Sequence, residues 1–207
     1  MVAELLRPED ERAIEEAVAR IERQSASEIV VAVLERSSDY WHWRVVLAGC
    51  WAIGTALALD HFVPALGDVV SFVVELPLAV AFYALLGVPA LHRLLIAPDV
   101  AAAAVLTRAC AVFAERGVHR TRGRTGLLIL VSRLERRVVV RGDDALDAAV
   151  GNEGWARLVA RLTARIRAGE AAAGLLDALS ELEPTLARVA PRTADDVNEL
   201  PDAIVKG

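Results

Sequence analysis

Residues 29–34 read Ile-Val-Val-Ala-Val-Leu, six apolar side chains set between Ser27-Glu28 and Glu35-Arg36. Four of the six are β-branched. A run this short, with apolar residues on both faces of a period-2 chain, predicts a strand buried on both sides. Such a strand needs neighbours in a sheet and a layer over each face. The residues before it supply only one more element. Pro8 suits a first helical position, Glu9-Asp10-Glu11 suit the positive end of a helix dipole, and Ile14, Ala17, Val18 and Ile21 recur on one face. The helix expected over 8–24 and the single strand cannot close a core, so the remaining partners must come from further along the chain.

They come after residue 97. Pro98-Asp99 opens a helix, with Asp99 as its cap, that continues through Val105, Leu106, Ala109, Cys110 and Phe113 to Gly117. Gly126–Val131 reads as a second strand and Arg136–Arg141 as a third. The four residues Ser132–Glu135 between them predict an antiparallel hairpin. Gly142-Asp143-Asp144 breaks the strand, and a short helical turn follows over 145–150. Asn152 caps a helix that carries Trp155, Leu158, Val159, Leu162 and Ile166 on one face and stops at Gly169. A last helix is expected over 170–189, with a kink or break at Pro184. Residues 191–207 are polar and read as a flexible tail. Strands with helices on both faces give an α/β fold, a small α/β/α sandwich with a short mixed sheet.

Between the two halves lies an apolar block. Residues 45–91 hold three acids (Asp60, Asp68 and Glu75) and neither Lys nor Arg. Crossing the ~30 Å hydrocarbon core takes roughly 20 apolar residues. Two spans are expected, at 43–63 and 69–91, with Arg44 and Asp60 at the interfaces. Eight of the ten aromatic residues lie between Tyr40 and Tyr83, in keeping with an aromatic belt. Arg36, Arg44, Arg93 and Arg108 flank the block, and the linking loop has no basic residue. Both termini and the α/β domain are therefore expected in the cytoplasm. Met1–Arg23 is charged and amphipathic, unlike the apolar core of a cleavable signal. The expected organisation is 1–36, first part of an α/β domain; 37–97, inserted membrane hairpin; 98–190, second part; and 191–207, tail.

Composition narrows the chemistry. The chain has 207 residues, 55% of them hydrophobic, and a net charge of -5, which gives nucleic acid no reason to bind. Its two cysteines, Cys50 and Cys110, lie in apolar runs and form no CxxC, and the four His have no zinc spacing. The stretch Arg116–Arg124 holds four Arg and His119, which suits either a hydrated loop or contact with anionic headgroups. Asp143, Asp144 and Asp147 sit where a strand ends, the edge at which open α/β sheets bind ligands. Three carboxylates over five positions could ligate a divalent cation, calcium or another. The same residues also read as a strand end and a helix cap.

Four segments carry a family resemblance: Ser27-Glu28-Ile29-Val30-Val31-Ala32-Val33; Thr125-Gly126-Leu127-Leu128-Ile129-Leu130-Val131-Ser132; Glu135-Arg136-Arg137-Val138-Val139-Val140; and Ile166-Arg167-Ala168-Gly169-Glu170, continuing to Leu175. In this order they resemble the TPM domain family, named for thylakoid, photosystem and acetylcholine-receptor-modulator members. The chain looks like a membrane-inserted bacterial variant, expected at the inner membrane. The resemblance implies a small α/β/α domain, often membrane-tethered. Phosphatase activity and divalent-cation binding, often of calcium, are ascribed to some members. The family's glycine-rich turn after the third strand reads here Arg141-Gly142-Asp143-Asp144-Ala145-Leu146. Gly142 matches its first glycine; the aromatic and the Gly-Leu-Glu that follow are missing, so no catalytic residue carries over. Two functions are expected from these readings. One is a membrane-anchored interaction or regulatory module with a protein partner and the lipid bilayer, and with room for a divalent cation. The other is a membrane phosphohydrolase using the acidic turn at 143–147; Asp143, Asp144, Arg137 and Arg141 are the groups available for phosphoryl transfer.

Overall fold

The sheet forms where the apolar runs predict it. In the computed structural model, which describes residues 5–63, 67–193, 195, 199–201 and 203–207, β1 (Ile29–Leu34) runs parallel to β2 (Leu127–Ser132), from Ile29 opposite Leu127 to Leu34 opposite Ser132. β2 pairs antiparallel with β3 (Arg137–Gly142). A two-residue strand, β4 (Val205–Lys206), lies parallel to β1 on its other side. The order is β3-β2-β1-β4. The hairpin turn sits one residue later than the sequence suggests, because Ser132 pairs with Arg137 and Arg136 takes the left-handed turn at φ 50°.

Period-2 alternation divides the strand side chains between two cores. Ile29, Val31, Leu127, Ile129 and Val131 face α1 (Pro8–Glu22), α6 (Asp144–Arg167) and α7 (Ala171–Val189). Val30, Ala32, Leu128 and Leu130 pack with Val105, Ala109, Val112 and Phe113 of α5 (Pro98–Glu115). Helices on both faces make this an α/β/α sandwich with a mixed sheet. It also explains why the strands are apolar at nearly every position.

The chain divides into two compact units, one of residues 1–37 and 101–207, the other of 38–100. In the second unit α2 (Trp41–Phe62) and α3 (Gly67–Leu85) pack as a hairpin. Trp51 stacks on Phe82 with ring centres 4.8 Å apart. Residues 64–66 of the expected linking loop lie outside the described residues. Among the described residues, α2 is the helix long and apolar enough to cross a membrane; in α3 the described apolar stretch is Val73–Leu85. The expected second span to Leu91 is not one helix. α3 ends at Leu85, and Pro89, which cannot donate a backbone hydrogen bond, starts the separate α4 (Pro89–Leu95).

Other local expectations shift for stated reasons. Pro98 takes the first position of α5, so Asp99 lies in its first turn instead of capping it. The helical path breaks at Gly151 (φ 70°, ψ 165°), between the short turn and the long arm of α6. Pro184 does not break α7, whose Leu179, Leu182 and Leu186 are all buried against the same core. Cys110 is not on a packed stripe; it is exposed, with its Sγ 3.1 Å from Arg141 Nη1.

The expectation of a loose tail fails at its end. Glu28 is buried at 5% exposure, and its carboxylate accepts the backbone N–H groups of Glu199 (2.9 Å) and Leu200 (3.0 Å). Glu15 accepts the Ile204 N–H at 3.2 Å, and Lys206 pairs with Glu11 at 2.7 Å. The open edge of β1 offers unpaired backbone groups, and the tail satisfies them. Residues 194, 196–198 and 202 of this segment lie outside the described residues.

Candidate functional site

The acidic turn is built by the end of β3. Gly142 leaves no room for a side chain: a Cβ there would lie 2.9 Å from Leu146 Cβ and 3.0 Å from both Asp147 Oδ1 and Trp155 Cζ2. The chain then turns at Asp143, the N-cap of α6, whose Oδ1 accepts the Asp144 N–H at 2.9 Å. The Asp143 N–H is bonded to Gly126 O at 2.8 Å, so the turn is tied to the start of β2. Gly126 serves close packing, not phosphate cradling: a Cβ there would meet Val118 O at 2.0 Å.

Two of the three acids meet one arginine. Arg124 Nε lies 3.4 Å from Asp143 Oδ2, and its Nη2 is 2.5 Å from Asp144 Oδ2. Asp143 is 6% exposed, and its Oδ2 has no hydrogen bond, so Arg124 balances that oxygen as an ion pair. Asp147 stands apart from this pair. Its Oδ1 accepts the Trp155 indole N–H at 2.9 Å. Arg124 is held in a left-handed conformation at φ 53°, with its carbonyl accepting the Ala145 N–H at 3.3 Å. A bulky residue there is strained, and the double ion pair lies at that same position.

Arg137 and Arg141, the arginines open to phosphoryl chemistry on sequence grounds, lie away from the turn's carboxylates. Arg137 pairs with Ser132 at the far end of β3. Arg141 reaches Cys110 and lies 5.3 Å over the Phe113 ring, on the α5 side of the sheet. Arg124 was read only as part of a basic loop, and Trp155 only as a core residue. No local pattern marks a pairing between the two ends of the β2–β3 hairpin, twenty residues apart.

The donors present do not suit a divalent cation with Arg124 in place. Its guanidinium already brings Asp143 and Asp144 the positive charge that a metal would supply, and Asp147 is bonded to an indole. Among the described residues no group of three or more His, Cys, Asp or Glu is arranged to hold a metal ion.

Residues 93–184 match the TPM domain family. Over this stretch the chain carries a TPM domain. The match spans α5, β2, β3, α6 and most of α7, and the TPM sheet continues beyond it, since β1 pairs with β2 along its whole length. The fold is similar to the NMR structure of the BA42 protein from the psychrophilic bacterium Bizionia argentinensis. The TM-score is 0.61 at 22% identity, covering 100% of this chain and 99% of that one. At this identity the likeness is one of fold. No curated protein matches the chain by sequence.

Proposed function

We propose that this chain is a membrane-anchored interaction or regulatory module, a cytoplasmic TPM domain interrupted by a two-helix membrane hairpin. The observation that carries the reading is α2: 22 residues, apolar, and exposed along its length. At 1.5 Å per residue it is ~33 Å long, enough for the ~30 Å hydrocarbon layer. Val45, Val46, Ile53, Leu57 and Phe62 of α2 and Val73, Val74, Leu76, Leu78 and Val80 of α3 are all more than 40% exposed. Leaving each of these ten half-exposed apolar side chains in water forfeits about 1 kcal/mol, on the order of 10 in all. That equals the whole net stability of an ordinary domain, about 5–15 kcal/mol, so water is the wrong solvent for this surface. Thr55, the polar residue midway along α2, returns its hydroxyl to Trp51 O and Ala52 O at 3.1 and 2.9 Å, as a helix in lipid requires.

The interaction reading is supported over hydrolysis by the acidic turn. Its carboxylates are engaged by Arg124, the Asp144 N–H and Trp155, contacts that hold the turn itself together. A calcium ion would have to displace Arg124. Calorimetric titration of the full chain with calcium tests this. No saturable binding is expected for the wild type; binding abolished by changing Asp143, Asp144 and Asp147 to Asn would restore the cation site and reopen hydrolysis.

The chain's own cysteines test the anchoring. Cys50 lies in α2 and Cys110 in the TPM domain. In membranes, a membrane-impermeant maleimide is expected to leave Cys50 unlabelled and to reach Cys110 only after the cytoplasmic side is opened. Extraction of the chain by alkaline carbonate, or labelling of Cys110 from outside, would sink the reading.

A further inference from the structure

The helical unit 38–100 contains a pocket of about 240 Å³. Trp43 and Leu47 line it from α2, and Leu86, Leu95, Ile96 and Val100 from the chain around α4. Among the described residues, the charged Arg44 joins them. Arg44 lies one residue from Trp43, and its Nη2 donates to Tyr83 O at 2.9 Å. Its guanidinium carbon stands 4.3 Å from the centre of the Tyr83 ring. Gly87 makes the space, since a Cβ there would come within 2.7 Å of Nη2. The Arg44 Nε is buried and makes no hydrogen bond.

We propose that this pocket holds part of one acyl chain of an anionic phospholipid, with the lipid phosphate at Arg44. The proposal rests on the membrane-anchored reading above. Three observations select this occupant. The apolar lining suits hydrocarbon. The Arg44 guanidinium suits a phosphate oxygen, because arginine N–H groups make strong charge-assisted bonds to phosphate. The position suits a lipid, because Arg44 lies in the first turn of α2 beside Trp41 and Trp43, where an aromatic belt and a headgroup layer would coincide. A free metabolite phosphate would use the cation but leave the apolar lining empty.

The full-length protein is purified in detergent and examined by native mass spectrometry with phosphatidylglycerol and with phosphatidylcholine. Wild type is expected to retain phosphatidylglycerol about tenfold better, the usual order for one charge-assisted contact. Arg44→Gln is expected to abolish the preference. Ala97→Phe, which fills the pocket from an exposed position without removing a packed side chain, is expected to reduce retention of both lipids. Circular dichroism checks that each variant keeps its helices. Equal retention of the two lipids by wild type, or a preference that survives Arg44→Gln, overturns the pocket while leaving the anchor intact. Recovery of the chain from cells in the soluble fraction, with no detergent needed, overturns the anchor and the pocket together.

Discussion

At the scale of single residues, the first turn of α1 shows how a sequence signal becomes energy. The Arg7 backbone N–H donates to Asp10 Oδ2 at 3.0 Å, and Arg7 Nε reaches the same oxygen at 3.2 Å. The backbone bond first, then the guanidinium, holds the Asp10 carboxyl below the ordinary carboxylate range. A carboxyl depressed in the folded state stabilises fully above its unfolded value, near 3.9. That stabilisation is lost as pH falls through the folded value. Wild type should therefore lose melting temperature more steeply than Asp10→Asn as pH falls below about 4. Identical acid slopes for the two proteins would show that the contact contributes nothing. Acids near a helix start are legible because the helix dipole acts locally. Arg124 is not legible in the same way. Its partners Asp143 and Asp144 are set by the meeting of a loop with a strand end, and no periodicity announces that meeting.

Elements were legible where a short-range rule dictates them, and less so where two rules compete. β1 appears at its expected residues because six apolar side chains in a row leave no solvent face. The run from 69 to 91 is equally apolar, yet Gly87 and Pro89 divide it, and hydropathy alone does not register backbone breaks. The end of α6 is a case where the rule is strong. Gly169 sits at φ 85°, its N–H bonds Ile166 O at 3.1 Å, and the Glu170 N–H bonds Arg165 O at 2.9 Å. This is a Schellman closure, and it needs a left-handed residue. Around it Arg165 bridges Glu170 and Asp177, the Glu170 bond first, which raises the Arg165 pKa above its ordinary value. Gly169→Ala is expected to cost about 1 kcal/mol, because a Cβ penalises the left-handed conformation. That corresponds to a drop of about 3 °C in melting temperature for a unit of this size. An unchanged melting temperature would mean the turn can re-form with another geometry.

At the scale of the whole molecule, the order of elements along the chain conceals what closes the domain. The sheet's partners are far apart in sequence: β1 at 29–34 joins β2 at 127–132, and Glu28 binds the backbone of Glu199 and Leu200. That the first 36 residues need the later ones follows from counting elements. That the tail returns to β1 does not, because two residues of strand leave too little pattern to read. The α/β core clusters draw only on residues 5–34 and 105–205, with none from 38–100 among the described residues. The TPM domain should therefore fold without its insertion. Replacing 38–100 by a short Gly/Ser linker alters loop-closure entropy by only ~1 kcal/mol, small beside the two cores. The shortened protein is expected to be soluble without detergent and to melt in one cooperative transition with an α/β far-ultraviolet spectrum. A molten or insoluble product would mean that the hairpin carries part of the domain's stability. A well-folded product would show that the α/β unit holds its own core, as the two separate core clusters around its sheet imply.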